Sequence, residues 1–348
     1  MSRVYLCKFN GMGSIQKNLS VETLRGITII LVVMGHVIGS APNGGIKIDF
    51  PHLLRYVYLW IDYIQMPLFT AIAGWVYALK PFSDLGGIDG FVRKKALRLL
   101  VPMAVVGTLY FLVQYVMPGT NNKGDLTQIW RIYIFPYTIY WYLPSLFLIF
   151  MVQWYIDSRQ WMNNWVKWGV CCGVAVALSM VNDKGFLHEL PNLFSFKGAI
   201  GQLPYFFVGV AACRFAEEIS YRNLVKWLMG AIALTGIVMI QIVWFEPEDS
   251  IWIRHNLYVL ALIPTLFLLL AIKWHNHFFV WVGRYAYTIY LFHGFGTSGG
   301  RIILQRLNIY NEFMAFIFAT IIAVFLPILV EKLFSKVRLF RVFFLGKK

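Results

Sequence analysis

Apolar runs of close to twenty residues, separated by short polar or basic connections, recur from residue 21 to residue 333. A bilayer core of roughly 30 Å takes about 20 apolar residues per helix. The pattern therefore predicts about ten transmembrane helices, near 21–39, 57–79, 97–117, 139–156, 164–181, 198–215, 224–245, 253–272, 278–297 and 310–333. The fourth run, "IWRIYIFPYTIYWYLPSLFLIF", contains two prolines and reads as an interfacial lead-in followed by a crossing. The expected fold class is an all-α polytopic membrane protein. A polar tail occupies residues 1–20, the membrane domain 21–333 and a basic tail 334–348.

Composition agrees with the pattern. Of 348 residues, 59% are hydrophobic and 14% charged, which excludes a soluble globular domain of ordinary make-up. The net charge of +15 does not point to nucleic acid, because the lysines and arginines cluster beside apolar runs, where they orient a chain in its bilayer. With ten crossings, all 31 of them fall on one side except Lys47, Arg55, Lys123, Arg131, Lys184, Lys197, Arg254, Arg301 and Arg306. That excess predicts both termini in the cytoplasm. The first twenty residues carry Arg3, Lys8 and Lys17 without an apolar core and do not read as a cleavable signal. Cys7, Cys171, Cys172 and Cys213 show no ligand spacing, so neither a metal site nor a disulfide framework is expected.

The stretch "LRGITIILVVMGHVIGS" places Arg25 near the inner end of the first helix and His36 near its outer end. Eleven positions are about three turns, so both side chains share one face, roughly 16 Å apart. Ionisable groups inside a span are costly and usually face protein or a wet cavity. Taken singly, Arg25 is equally a snorkelling anchor and His36 an interfacial side chain. On the second helix Asp62 and Gln65 lie at the depth of His36, above Pro67, and His293 lies at a similar depth on the ninth. Such a cluster suits general-base chemistry, with a carboxylate fixing the tautomer of a histidine, or equally an interhelical hydrogen bond that only holds the bundle. At the other end, "FVRKKALRLLVP" supplies Arg93, Lys94, Lys95 and Arg98, with Arg284 near the same level. Guanidinium groups hold phosphate through paired hydrogen bonds, whereas Lys94 reads as a topology signal. Trp60, Trp130, Trp141 and Tyr142 suit an interfacial aromatic belt better than a sugar platform.

Taken in order, Arg25-"GITIILVVMG"-His36, "MPLFTAIAGW", "RKKALRLLVP", "YWYLPSLF", "LPYFFVGV" and "GRYAYTIYLFH" make the sequence resemble the integral-membrane acyltransferase 3 family over essentially the whole chain. Two positions depart from the family pattern. Lys95 stands where an arginine is common before the third-helix proline, and Gln65 stands where many members carry a histidine. No appended hydrolase-like domain is visible, which suits a stand-alone member. The resemblance implies transfer of an acyl group, commonly acetyl, from cytosolic acyl-CoA to a hydroxyl of an extracytoplasmic glycan or lipid-linked sugar, with no metal. It implies the bacterial cytoplasmic (inner) membrane and, as partners, its lipids and polysaccharide-assembly machinery. Arg25, Lys95, Arg98, Arg93 and Arg284 would hold the nucleotide phosphates. His36, with Asp62 and His293, would carry the chemistry, as general base or as acyl-accepting nucleophile. The rival expectation is a transporter or flippase for a lipid-linked saccharide.

Overall fold

A computed structural model describes residues 18–41, 43–121, 123–184, 186–216, 218, 221–244 and 251–347. The polar N-terminal tail, including Cys7, lies outside the described residues except at its last positions. The chain is 80% helical with no strand among the described residues, as an all-α membrane protein requires. Its long helices are α1 (Leu19–Ile38), α2 (Leu53–Ala78), α3 (Ile88–Val116), α4 (Tyr142–Ser158), α5 (Trp165–Lys184), α6 (Phe196–Arg214), α7 (Tyr221–Trp244), α8 (Ile251–Ala271), α9 (His277–Arg284), α10 (Ala286–Arg306) and α11 (Glu312–Phe334). Among the described residues five segments are long and apolar enough to cross a membrane: Leu19–Ile38, Ile88–Val116, Leu126–Ser158, Trp165–Asn182 and Glu312–Phe334.

α1 starts where Asn18 accepts hydrogen bonds from the Ser20 and Val21 amides at 3.0 and 3.3 Å, with Glu22 favourably placed in the first turn. Ile29, Val32 and Val33 are fully buried, so α1 runs through the middle of the bundle. It packs on α2 and α9, while α2 packs most extensively on α6 and α10 on α11. At the α1–α9 crossing the backbones nearly touch: a Cβ on Gly26 would strike the Phe279 carbonyl, and one on Gly283 the Glu22 carbonyl. This contact brings Arg284 to the same cavity as Arg25.

Three boundaries differ from the hydropathy pattern, each for a physical reason. α3 begins at Ile88 rather than near 97, because "FVRKKALR" is a good helix-forming stretch whatever its polarity. The ninth run divides at Tyr285 into α9 and α10, with Asn276 capping α9 by accepting from the Phe278 and Phe279 amides. α10 then continues to Arg306 through "GTSGG". The apolar pattern ends this run near 297, whereas Gly296 and Gly300 admit Ala323 and Ala319 of α11 against a continuing α10 backbone, the small-residue packing found between membrane helices. The interfacial lead-in of the fourth run consists of short helical turns at Leu126–Gln128, Arg131–Ile134 and Thr138–Trp141.

The segment expected as a basic tail folds back onto the bundle. Phe340 and Phe344 stack on Phe292 with ring centroids at 6.2 and 6.3 Å, and Leu345 is buried. Gly346, at φ +58°, lies against the Arg98 backbone. Lys347 pairs with Glu331 at 2.6 Å.

Candidate active site

Two cavities open at opposite ends of the Arg25–His36 face of α1. The first, about 420 Å³, lies between α1, α2, α3, α4 and the α9–α10 break. Arg25, Lys80, Lys94, Lys95, Arg98, Arg284 and Lys347 line it, against one carboxylate, Asp84, among the described lining residues. Three of these cations are partly engaged: Arg25 bonds Glu22 at 3.0 Å, Lys347 bonds Glu331 at 2.6 Å, and the Lys95 ammonium sits 3.2 Å over the Phe150 ring, a cation–π contact. Tyr287 donates to the Arg98 carbonyl and fixes that turn of α3. So dense a positive field in a low-dielectric wall attracts a multiply charged anion, and the guanidinium forks suit phosphate.

Of the five cations singled out in the sequence for phosphate, Arg25, Lys95, Arg98 and Arg284 meet here, while Arg93 is absent from the lining. Lys94, read as a topology signal, lines the cavity too. Lys94 is four residues before Arg98 and so shares a helix face with it, a signal the sequence carried. Lys80 and Lys347 carried none, since both arrive through tertiary folding.

The second cavity, about 490 Å³, is lined by His36, Tyr110, Gln114, Thr297, Ser298 and Arg301, and by the loops at 39–47 and 120–121. His36 is half-buried and opens onto it. Behind His36 lies His293, wholly buried, with ring centroids 5.1 Å apart and planes tilted by 33°. The His293 Nδ1 lies 2.8 Å from the Tyr290 carbonyl and 3.1 Å from that of Ile289. A carbonyl can only accept, so Nδ1 carries a proton, and in the neutral ring Nε2 is an acceptor; that buried nitrogen has no hydrogen-bond partner among the described residues.

Asp62 and Gln65 form a separate pair. Gln65 donates to Asp62 at 3.1 Å and abuts Gly35, the residue before His36. Asp62 itself is exposed, and neither residue is among those lining the cavity. Thus the structure joins His36 with His293, and Asp62 with Gln65.

A chain of rings connects the two cavities. Phe69, in the wall of the basic cavity, stacks on Tyr290 at 6.1 Å; Tyr290 touches His293 at 5.9 Å, and His293 touches His36. Tyr290 is held by its hydroxyl donating to the Ile139 carbonyl, and Tyr140 donates to the Leu291 carbonyl at 2.9 Å. The space between the cavities is therefore occupied by aromatic side chains. Among the described residues no three of His, Cys, Asp and Glu gather to hold a metal ion.

Comparison with known families matches residues 18–332 to one, described as an acyltransferase domain. No curated protein and no solved structure matches the chain.

Proposed function

The chain belongs to the acyltransferase 3 family of multi-pass membrane acyltransferases, and from that premise we propose that it moves an acyl group, acetyl by preference, from cytosolic acyl-CoA to a hydroxyl of an extracytoplasmic glycan. The observation that carries this reading is the pairing on one helix face of Arg25 in a cationic cavity and His36 in a polar one. In this reading the chain crosses a bacterial cytoplasmic membrane ten times with both termini inside, so the basic cavity faces the cytosol. Arg25, Arg98, Arg284 and Lys95 hold the nucleotide phosphates. The pantetheine arm follows α1 toward His36, a path that the Phe69–Tyr290 stack closes in this structure and that opens only if the stack is displaced.

At the far end the acceptor hydroxyl gives its proton to the neutral His36 imidazole as its oxygen attacks the thioester carbonyl. The tetrahedral intermediate collapses with cleavage of the C–S bond, and the imidazolium returns the proton to the departing thiolate. His293 positions His36: its unprotonated Nε2 is the acceptor available to a His36 N–H. Asp62, bonded to Gln65, acts at one remove from this pair, by holding Gln65 against Gly35. The family match lends no support to the transporter alternative.

Donor recognition is tested by binding to the purified protein. Arg25→Gln should weaken acetyl-CoA binding roughly tenfold or more, the value of a charge-assisted hydrogen bond to phosphate. Affinity for a short acetyl thioester that lacks the nucleotide should stay unchanged. Equal losses for both compounds, or none for acetyl-CoA, would remove the phosphate role of Arg25.

A further inference from the structure

The second cavity contains Lys47 and Arg301 but no Asp or Glu among its described lining residues. Both cations belong to the nine that fall on the side opposite the bulk of the basic residues, so orientation in the bilayer does not account for them. Arg55, another of the nine, has a structural explanation. It is buried outside the cavity lining, and its two terminal nitrogens donate to the carbonyls of Gly39 and Ser40 at 2.6 and 2.9 Å, closing the end of α1. Arg301 is as deeply buried, at 6% exposure, but it borders the open space and donates from Nη2 to the Gly119 carbonyl at 2.8 Å. No described ion pair neutralises it. A buried guanidinium without a counter-charge is costly, and an anion entering from the cavity removes that cost.

The walls around Arg301 are preorganised. Tyr137 donates to Gln114 Oε1 at 2.6 Å, Thr120 to the Gln114 carbonyl at 3.0 Å, and Asn121 to the Gly45 carbonyl at 3.3 Å, which ties the two rim loops together. On α10, His293, Thr297 and Arg301 follow at four-residue intervals and share one face, spanning about 12 Å. Helical side chains lean toward the N-terminus, which shortens the gap between the guanidinium and the histidine pair.

We infer that the acceptor is acidic: Arg301, with Lys47 at the rim, binds a carboxylate or phosphate group one or two sugar rings from the hydroxyl presented to His36. This rests on reading the second cavity as the acceptor site. It adds a substrate class, since a neutral glycan offers Arg301 hydrogen-bond acceptors but no counter-charge.

The test is binding of small probes to the full-length protein in detergent, without any thioester: methyl glucuronoside, glucose 1-phosphate and neutral methyl glucoside. At least one anionic probe should bind roughly tenfold or more tightly than the neutral one, and the better of the two tells carboxylate from phosphate. Arg301→Gln should erase the preference, and Arg301→Lys, which keeps the charge, should retain most of it. His36→Ala should preserve the preference while losing acyl transfer, so failure of the base assignment and failure of this one are separate outcomes. Equal binding of charged and neutral probes, no binding of either anion, or a preference that survives in folded Arg301→Gln protein would overturn the inference.

Discussion

His36→Ala should lower acyl transfer by roughly 10²- to 10⁴-fold, the range that a positioned general base contributes. The side chain removed is half-buried at a cavity wall, and the surrounding core of α1, with Ile29, Val32 and Val33 fully buried, is left in place. The variant should therefore fold, and it should bind acetyl-CoA as the parent does, because the basic cavity shares no lining residue with the histidine cavity. His36→Gln, close in size but unable to take up a proton near neutral pH, should be as inactive. A variant that folds, binds donor and still transfers at near-parental rate would remove His36 from the chemistry. His293→Gln, in contrast, should cost less than His36→Ala if His293 only positions the reacting ring, and its loss should appear in the turnover rate with the donor KM unchanged.

Asp157→Ala should be the most destabilising single change away from either cavity. Its carboxylate, 7% exposed, accepts from Arg214 Nη1 and Nη2 at 2.8 and 2.7 Å, from the Tyr77 hydroxyl at 2.8 Å and from Gln153 Nε2 at 3.0 Å. This node ties α2, α4 and α6 together. Removing one partner of a buried ion pair strands the other charge, at a cost of about 3–5 kcal/mol. Thermal unfolding in detergent should show a large loss for Asp157→Ala and a smaller one for Asp157→Asn. Combining Asp157→Leu with Arg214→Met should recover part of the stability, because the uncompensated guanidinium is then gone. Tyr77 also lines the basic cavity, so Asp157→Ala should loosen donor binding as well. An unchanged melting temperature would mean that the node is wet and carries little energy.

The sequence made distance along a helix legible and left rotation about its axis largely hidden. Arg25 and His36 lie on one unbroken helix, where eleven positions define both separation and face, and the structure opens a cavity beside each. Asp62 and His293 both lie at the depth of His36 by position in their helices, and depth alone does not say which turns toward it. His293 does, while Asp62 turns to Gln65 and the exterior. Asp62 and His293 lie on different helices from His36, and spacing along one helix says nothing of how another is rotated against it. The Asp157–Arg214 pair was illegible because its members are 57 residues apart and each reads as an ordinary charge at a helix end. Lys347 joins the basic cavity only because the chain after α11 doubles back over Phe292 and Arg98. The length of α10 past 297 was hidden for a related reason: Gly296 and Gly300 let two backbones touch only because Ala319 and Ala323 face them from a separate helix.

The most direct test of the two-ended arrangement is transfer in sealed proteoliposomes of known protein orientation, with labelled acetyl-CoA on one side and surface glycan from the source cells on the other. Labelled glycan should form when the thioester meets the end bearing Arg25 and Arg98 and the glycan meets the end bearing His36, and the reverse loading should give none. Product from both substrates confined to the His36 side would contradict it.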